Sequence, residues 1–148
     1  MTLTFQTRNQ VIASMARLIA LHHTEILLEN QKDITAFASE DAALYERLKL
    51  DEKKIQAMIA ALKQVEQMPD VLGVELYHYN HPNGLKITNQ TSAFGTVLII
   101  YESRPDVTVE AAVIAFKAGN KILLKGGKES LHTNLILVAL WQKALLRK

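Results

Sequence analysis

The sequence predicts an α/β fold, with N-terminal helices, a β-hairpin and a βαβα unit on a parallel sheet. Three observations predict it. Apolar residues recur at helical spacing up to about residue 68. Asn80-His81-Pro82-Asn83-Gly84 is a strong turn signal between two strand-like arms. Thr96–Tyr101 and Ile122–Leu124 are apolar runs separated by a helix-patterned segment, so they cannot form a hairpin. They imply a right-handed crossover and parallel pairing. The expected division is a helical region at 1–68, a linker and hairpin at 69–92, and an α/β unit at 93–148.

Phe5–His22 places Val11, Ile12, Met15, Leu18 and Ile19 on one face, with Arg8, Asn9 and Arg17 on the other. Two arginines with no acid before Glu25 also suit a transit peptide, but a first amphipathic helix is the simpler reading. Thr24 is the expected cap of a second helix, Glu25–Ala38. Ser39-Glu40-Asp41 opens a short helix through Leu48, and Asp51 caps Glu52–Gln67. In the latter, Ile55, Met58, Ile59, Leu62 and Val65 form an apolar stripe. Met68–Gly73 ends the helical region. Val74–Asn80 alternates, with Val74, Leu76 and His78 opposite Glu75, Tyr77 and Tyr79, and Leu85–Asn89 returns. A two-stranded ribbon is marginal alone and must pack on something.

Thr96–Tyr101 has the pattern of a strand buried on both faces. Pro105 pre-sets a helix start, and Val107–Ala118 is apolar nearly all round, so most of its sides need cover. Gly119-Asn120 stops that helix, Ile122–Leu124 is the next strand, and a helix from Ser130 to Leu146 closes the unit. In parallel sheets ligands sit outside the carboxyl ends of the strands. Those ends are Tyr101–Arg104 and Lys125-Gly126-Gly127-Lys128-Glu129. The second combines free backbone, two lysines and a helix N-terminus, a combination that suits a phosphate. Gly-Gly after a strand is equally an ordinary turn, and the residues alone leave both readings open.

At 148 residues, 49% of them apolar, the chain has room for one ordinary domain or part of a larger one. A net charge of +2, with no basic run interleaved with aromatics, argues against nucleic acid. With no cysteine, disulfides, thiolate metal sites and a thiol nucleophile are excluded within this chain. No apolar run reaches 18 residues, so no helical membrane span is expected. His22 and His23 are adjacent and face apart, and His78 and His81 lack a third ligand nearby, so no metal site is expected. No GxSxG elbow, P-loop or HExxH is present.

IYESRPDVTVE followed by AGNKILLKGGKE resembles the signature of the gamma-glutamyl phosphate reductase family. These enzymes are also called glutamate-5-semialdehyde dehydrogenases and fall in the aldehyde dehydrogenase superfamily. The Asn30, Asp33 and Ala36 region and Ala43–Met68 resemble the family's N-terminal helices, Met68–Gly73 its "LPDP-G" segment with Val71 for proline, and Val74–Gln90 its hairpin. The resemblance covers nearly the whole chain but about the first third of a family enzyme.

It implies an aldehyde-dehydrogenase-like cofactor-binding domain and NADPH-dependent reduction of gamma-glutamyl phosphate to glutamate-5-semialdehyde in proline biosynthesis, in the cytoplasm. It also implies a cysteine nucleophile in a later domain, so the chain alone is expected to be inactive. The hairpin implies a homo-oligomer, or pairing with a remaining catalytic part. Lys125 matches the lysine that reaches the adenosine ribose, with Gly126 and Gly127 admitting close backbone approach. Three residues on, where NAD-preferring relatives place a glutamate, stands Lys128, which favours a 2′-phosphate, with Glu129 following. Ser103-Arg104-Pro105 matches the substrate or oxyanion loop, although the superfamily's asparagine is absent there. Arg104 either faces an anionic substrate or ties down its loop, and Asp106 in place of asparagine either repels such a substrate or serves as a helix N-terminal acid.

Overall fold

The computed structural model describes residues 3–146. Their order is α1 (Phe5–Leu21), α2 (His23–Ala36), α3 (Ala42–Leu48), α4 (Glu52–Gln67), β1 (Glu75–Asn80), β2 (Lys86–Gln90), β3 (Thr96–Ile100), α5 (Pro105–Lys117), β4 (Lys121–Lys125) and α6 (Leu131–Leu146). A single 3₁₀ turn, Lys128–Ser130, leads into α6.

Local chemistry sets most boundaries. The Thr4 hydroxyl accepts from the Thr7 amide and starts α1. Asp41 caps α3, and Asp51 caps α4 through the Lys54 amide at 2.8 Å. Pro105 is the first residue of α5, where its missing N–H costs nothing. Gly119, at φ 77°, ends that helix, with its amide on the Phe116 carbonyl. One expected boundary fails: α2 starts at His23, so Thr24 lies inside its first turn instead of capping it, and the helix stops at Ala36. The two helices bend by 71° across His22, which takes the cap position with no side-chain cap bond. A one-residue break leaves no loop in which a separate cap can sit.

The core lies among α1, α2, α4, α5 and α6. Ile12, Met15, Ile19, Ile26, Ile55, Met58, Leu62, Val109 and Leu137 are shut off from solvent. The apolar residues of α5 find the cover they require: Val109, Ala112, Val113 and Phe116 are buried, and Ile114 alone among the large ones stays open. Buried polar groups tie the layer together. Arg8 donates to Asp70 and to the Leu3 carbonyl, both at 2.6 Å. Asn30 donates to the Leu48 carbonyl and accepts from the Leu50 amide at 2.7 Å. Asp33 reaches across to α6 and accepts from the amides of His132 and Thr133 and from the Thr133 hydroxyl.

The strands make two separate two-stranded sheets, β1–β2 antiparallel and β3–β4 parallel. The parallel register pairs Leu98 with Leu123 and Ile100 with Lys125. Burial of β3 on both faces does not occur. Val97 and Ile99 are partly covered, while Leu98 and Ile100 remain 55% and 69% exposed. Ile122 and Leu124 of β4 pack on the helical core, and Leu123 points the other way. The helices cover one face of this narrow sheet and leave its other face bare. The hairpin is barer still: every residue of β1 and β2 is exposed, so its alternation separates no inner side from an outer one. Among the described residues no helix is long and apolar enough to cross a membrane.

Candidate cofactor-binding site

Parallel pairing places the carboxyl ends of β3 and β4 side by side. The Tyr101 amide donates to the Lys125 carbonyl at 3.1 Å, so the Tyr101–Arg104 and Lys125–Glu129 segments leave the sheet together. The glycines are required by this approach. A Cβ on Gly127 would overlap the Ser103 hydroxyl, and one on Gly126 would lie 2.5 Å from Asn134 Nδ2 and 3.0 Å from the Tyr101 ring. Neither glycine is among those with positive φ; the need is for space.

Ser103 is buried and donates its hydroxyl to Glu129 at 2.5 Å. That bond, with a smaller contribution from the neighbouring Lys128 ammonium, holds the Glu129 carboxyl below the ordinary carboxylate range despite some burial. The one hydroxyl proton of Ser103 is thereby committed inside the protein. Lys125 and Lys128 have exposed side chains. They face different places. Register and alternation put Lys125 on the bare sheet face with Leu123. Lys128, with Gly127, Glu129 and Ser103, lines a cleft of about 740 Å³ that Phe37, Leu44, Asp33 and Glu102 also line.

Arg104 pairs with Asp106 at 3.0 Å, which is the main reason its guanidinium is held more firmly protonated than usual. Asp106 also accepts from the Val107 amide, as an acid in the first turn of α5 does. In this arrangement the loop ties itself down. The nearby Glu110 carboxyl is pushed up, first by burial and then by Asp106. The α6 N-terminus, expected to face a phosphate, is capped from within. Asp33 takes the His132 amide at 3.0 Å and the Thr133 amide at 2.8 Å, because its carboxylate on α2 already neutralises that helix end. The exposed cationic side chains after the paired strand ends are those of Lys125, on the sheet face, and Lys128, in the cleft.

No family model matches the chain. It is 39% identical to a gamma-glutamyl phosphate reductase of Sulfurihydrogenibium sp. over 145 residues, covering 97% of this chain and 32% of that protein. Against the reductase of Carboxydothermus hydrogenoformans it is 41% identical, covering 97% of this chain and 35% of the relative. The crystal structure of gamma-glutamyl phosphate reductase from Thermotoga maritima superposes with a TM-score of 0.92 at 34% identity, over 99% of this chain and 36% of that one. Over nearly its whole length the chain is similar to the N-terminal part of gamma-glutamyl phosphate reductases. It spans about a third of the length of the relatives it matches. An acetylating aldehyde dehydrogenase from Geobacillus thermoglucosidasius, at 15% identity and a TM-score of 0.68, shares the fold.

In this fold Ser103, Gly126, Gly127 and Glu129 come together, Arg104 and Pro105 turn into α5, and Lys125 stands apart on the sheet face. Three polar residues at the site escaped sequence reasoning: Asp33, Thr108 and Asn134. Thr108 is fully buried and donates to Asn134 at 2.8 Å. The signal for the last two was a hydroxyl and a carboxamide inside largely apolar helices. Asp33 offered no local signal, because its partners lie about 100 residues away.

Proposed function

We propose that this chain is the cofactor-binding part of an NADPH-dependent reductase that converts gamma-glutamyl phosphate to glutamate-5-semialdehyde in cytoplasmic proline biosynthesis. The observation that carries the reading is the Lys125–Glu129 turn at the paired strand ends, within a fold matched over nearly its whole length. The residues fit the adenosine end of such a cofactor. Lys128 supplies an exposed cation at the cleft and Lys125 one on the sheet face, and each carboxylate lining the cleft is engaged elsewhere: Glu129 by Ser103, Glu102 by Arg47 and Asp33 by the α6 amides. A cationic turn favours a 2′-phosphate over a bare ribose. The bound nucleotide would supply hydride; this chain's own part is to hold its phosphate-bearing end. The functional division is into 1–68 as scaffold, 69–92 as linker and oligomerising arm, and 93–148 as nucleotide-binding unit.

With no cysteine, the chain has no thiol to attack an acyl phosphate, and alone it does not turn over. The missing group comes from a catalytic part of the kind that makes up the rest of the relatives' length. The bare sheet face at Leu98, Ile100 and Leu123 supports a pairing surface for such a part. The alternatives are a non-catalytic nucleotide-binding module, which the same titration tests, and a structural partner of a full-length enzyme, which co-purification from cells tests.

Titration of the chain with NADPH, followed by cofactor fluorescence, tests the reading. Saturable binding that weakens with salt and is tighter than that of NADH is expected; Lys128→Glu should weaken NADPH about tenfold and leave NADH, which lacks the 2′-phosphate, little changed. Absence of NADPH binding at millimolar concentration overturns the cofactor role. Phosphate-dependent NADP⁺ reduction with the semialdehyde by the chain alone overturns its predicted inactivity.

A further inference from the structure

The glycine turn is held by a one-way chain of hydrogen bonds. Ser130 Oγ donates to the Gly127 carbonyl at 3.2 Å, and Asn134 Nδ2 donates to Ser130 Oγ at 2.9 Å. The Asn134 Oδ1 accepts from Thr108 Oγ1 at 2.8 Å, and Thr108 Oγ1 meets the Tyr101 hydroxyl at 2.7 Å. A hydroxyl has one proton to give. Because Thr108 spends its proton on Asn134, Tyr101 donates to Thr108. Burial raises the Tyr101 phenol above its ordinary value, which keeps that donor protonated. The path runs from the end of β3 through α5 and α6 back to the turn after β4. Thr108 and Ser130 have no exposed surface.

We propose that Thr108 and Asn134 are positioning residues for the nucleotide, fixing the Gly126–Gly127 turn so that its outer face is pre-formed for the phosphate-bearing end of the cofactor. The proposal rests on the cofactor reading above. Its physical content is entropic. A Gly-Gly turn has more conformational freedom to lose than any other pair, and a ligand that must order it binds more weakly. The relay orders it beforehand, from the side away from solvent. Neither residue needs to touch the ligand.

Thr108→Val keeps the shape and removes both hydrogen bonds, while Thr108→Ser keeps the hydroxyl and loses a methyl. Two readouts decide the matter: the NADPH dissociation constant and amide hydrogen exchange across residues 126–130, with far-UV circular dichroism checking that both variants fold. Thr108→Val is expected to weaken NADPH about tenfold and to speed exchange in the turn about tenfold, with Thr108→Ser within twofold of the parent in both. Unchanged exchange in Thr108→Val overturns the proposal, as does equal loss in the two variants, which assigns the effect to packing. If the parent chain does not bind NADPH, the cofactor reading and the nucleotide role fall together. Slow exchange restored by serine would then leave only a relay that orders the turn.

Discussion

Ile12 and Met15 on α1 have no exposed surface, whereas Leu76 on β1 keeps 65% of its surface open and Ile87 on β2 keeps 45%. Both regions carry large apolar side chains in regular elements. The helix finds α4 and α6 to pack against; the hairpin finds nothing among the described residues. A buried aliphatic side chain is worth about 1.5–3 kcal/mol, and an exposed one contributes nothing comparable. Stability in this molecule thus resides in the helices, while the hairpin and the bare sheet face present unspent apolar surface.

The sharpest way to break that comparison is to truncate one residue in each region. Leu62→Ala on α4 should cost about 2–5 kcal/mol by urea denaturation, and Leu76→Ala in the hairpin under about 0.5 kcal/mol. Equal losses would mean that the hairpin is packed in solution. Next in size is the clasp between α2 and α6. Asp33→Ala removes a helix cap and strands buried donors, for an expected loss of about 2–3 kcal/mol, with faster amide exchange at the start of α6 than at its end. Loss of stability without that local effect would show that the carboxylate does not act as the cap.

The smallest effect is the most specific. Burial opposes ionisation of Asp70, but the Leu72 amide and the Arg8 guanidinium outweigh it and hold the carboxyl below its ordinary value. A lowered carboxyl contributes stability above its unfolded pKa of about 3.9 and loses it as pH falls through the folded value. The urea midpoint of the parent should therefore exceed that of Asp70→Asn at neutral pH, and the gap should narrow below about pH 4. A gap independent of pH would assign the effect of Asp70 to shape and not to charge.

Elements with local signals were legible in the sequence. The stripe Ile55–Val65 gave α4, Asp51 its cap, Pro105 and Gly119 the two ends of α5, and the apolar runs around it a parallel pair. What was not legible depends on distant chemistry. Thr24 looked like a cap because the sequence does not reveal that α1 and α2 meet with no loop between them. The run Thr96–Tyr101 carries the pattern of a doubly covered strand, yet cover is supplied on one face only. At the candidate site, the lysines and glycines were visible as a motif. That Ser103 gives its proton to Glu129, and that Asp33 occupies the α6 N-terminus, required the fold to bring separate segments together.

The bond from Asp33 to Thr133 spans 100 residues. Its two ends are made at different times. At synthesis rates of about 5–20 residues per second, α2 exists for roughly 5–20 s before its partner leaves the ribosome. Throughout that interval the Asp33 carboxylate has no helix end to cap. The clasp can close only when α6 arrives, and it closes a loop that contains both sheets and the glycine turn. The last described helix to be made thereby fixes the second, and the candidate nucleotide site is not complete until that helix has been made.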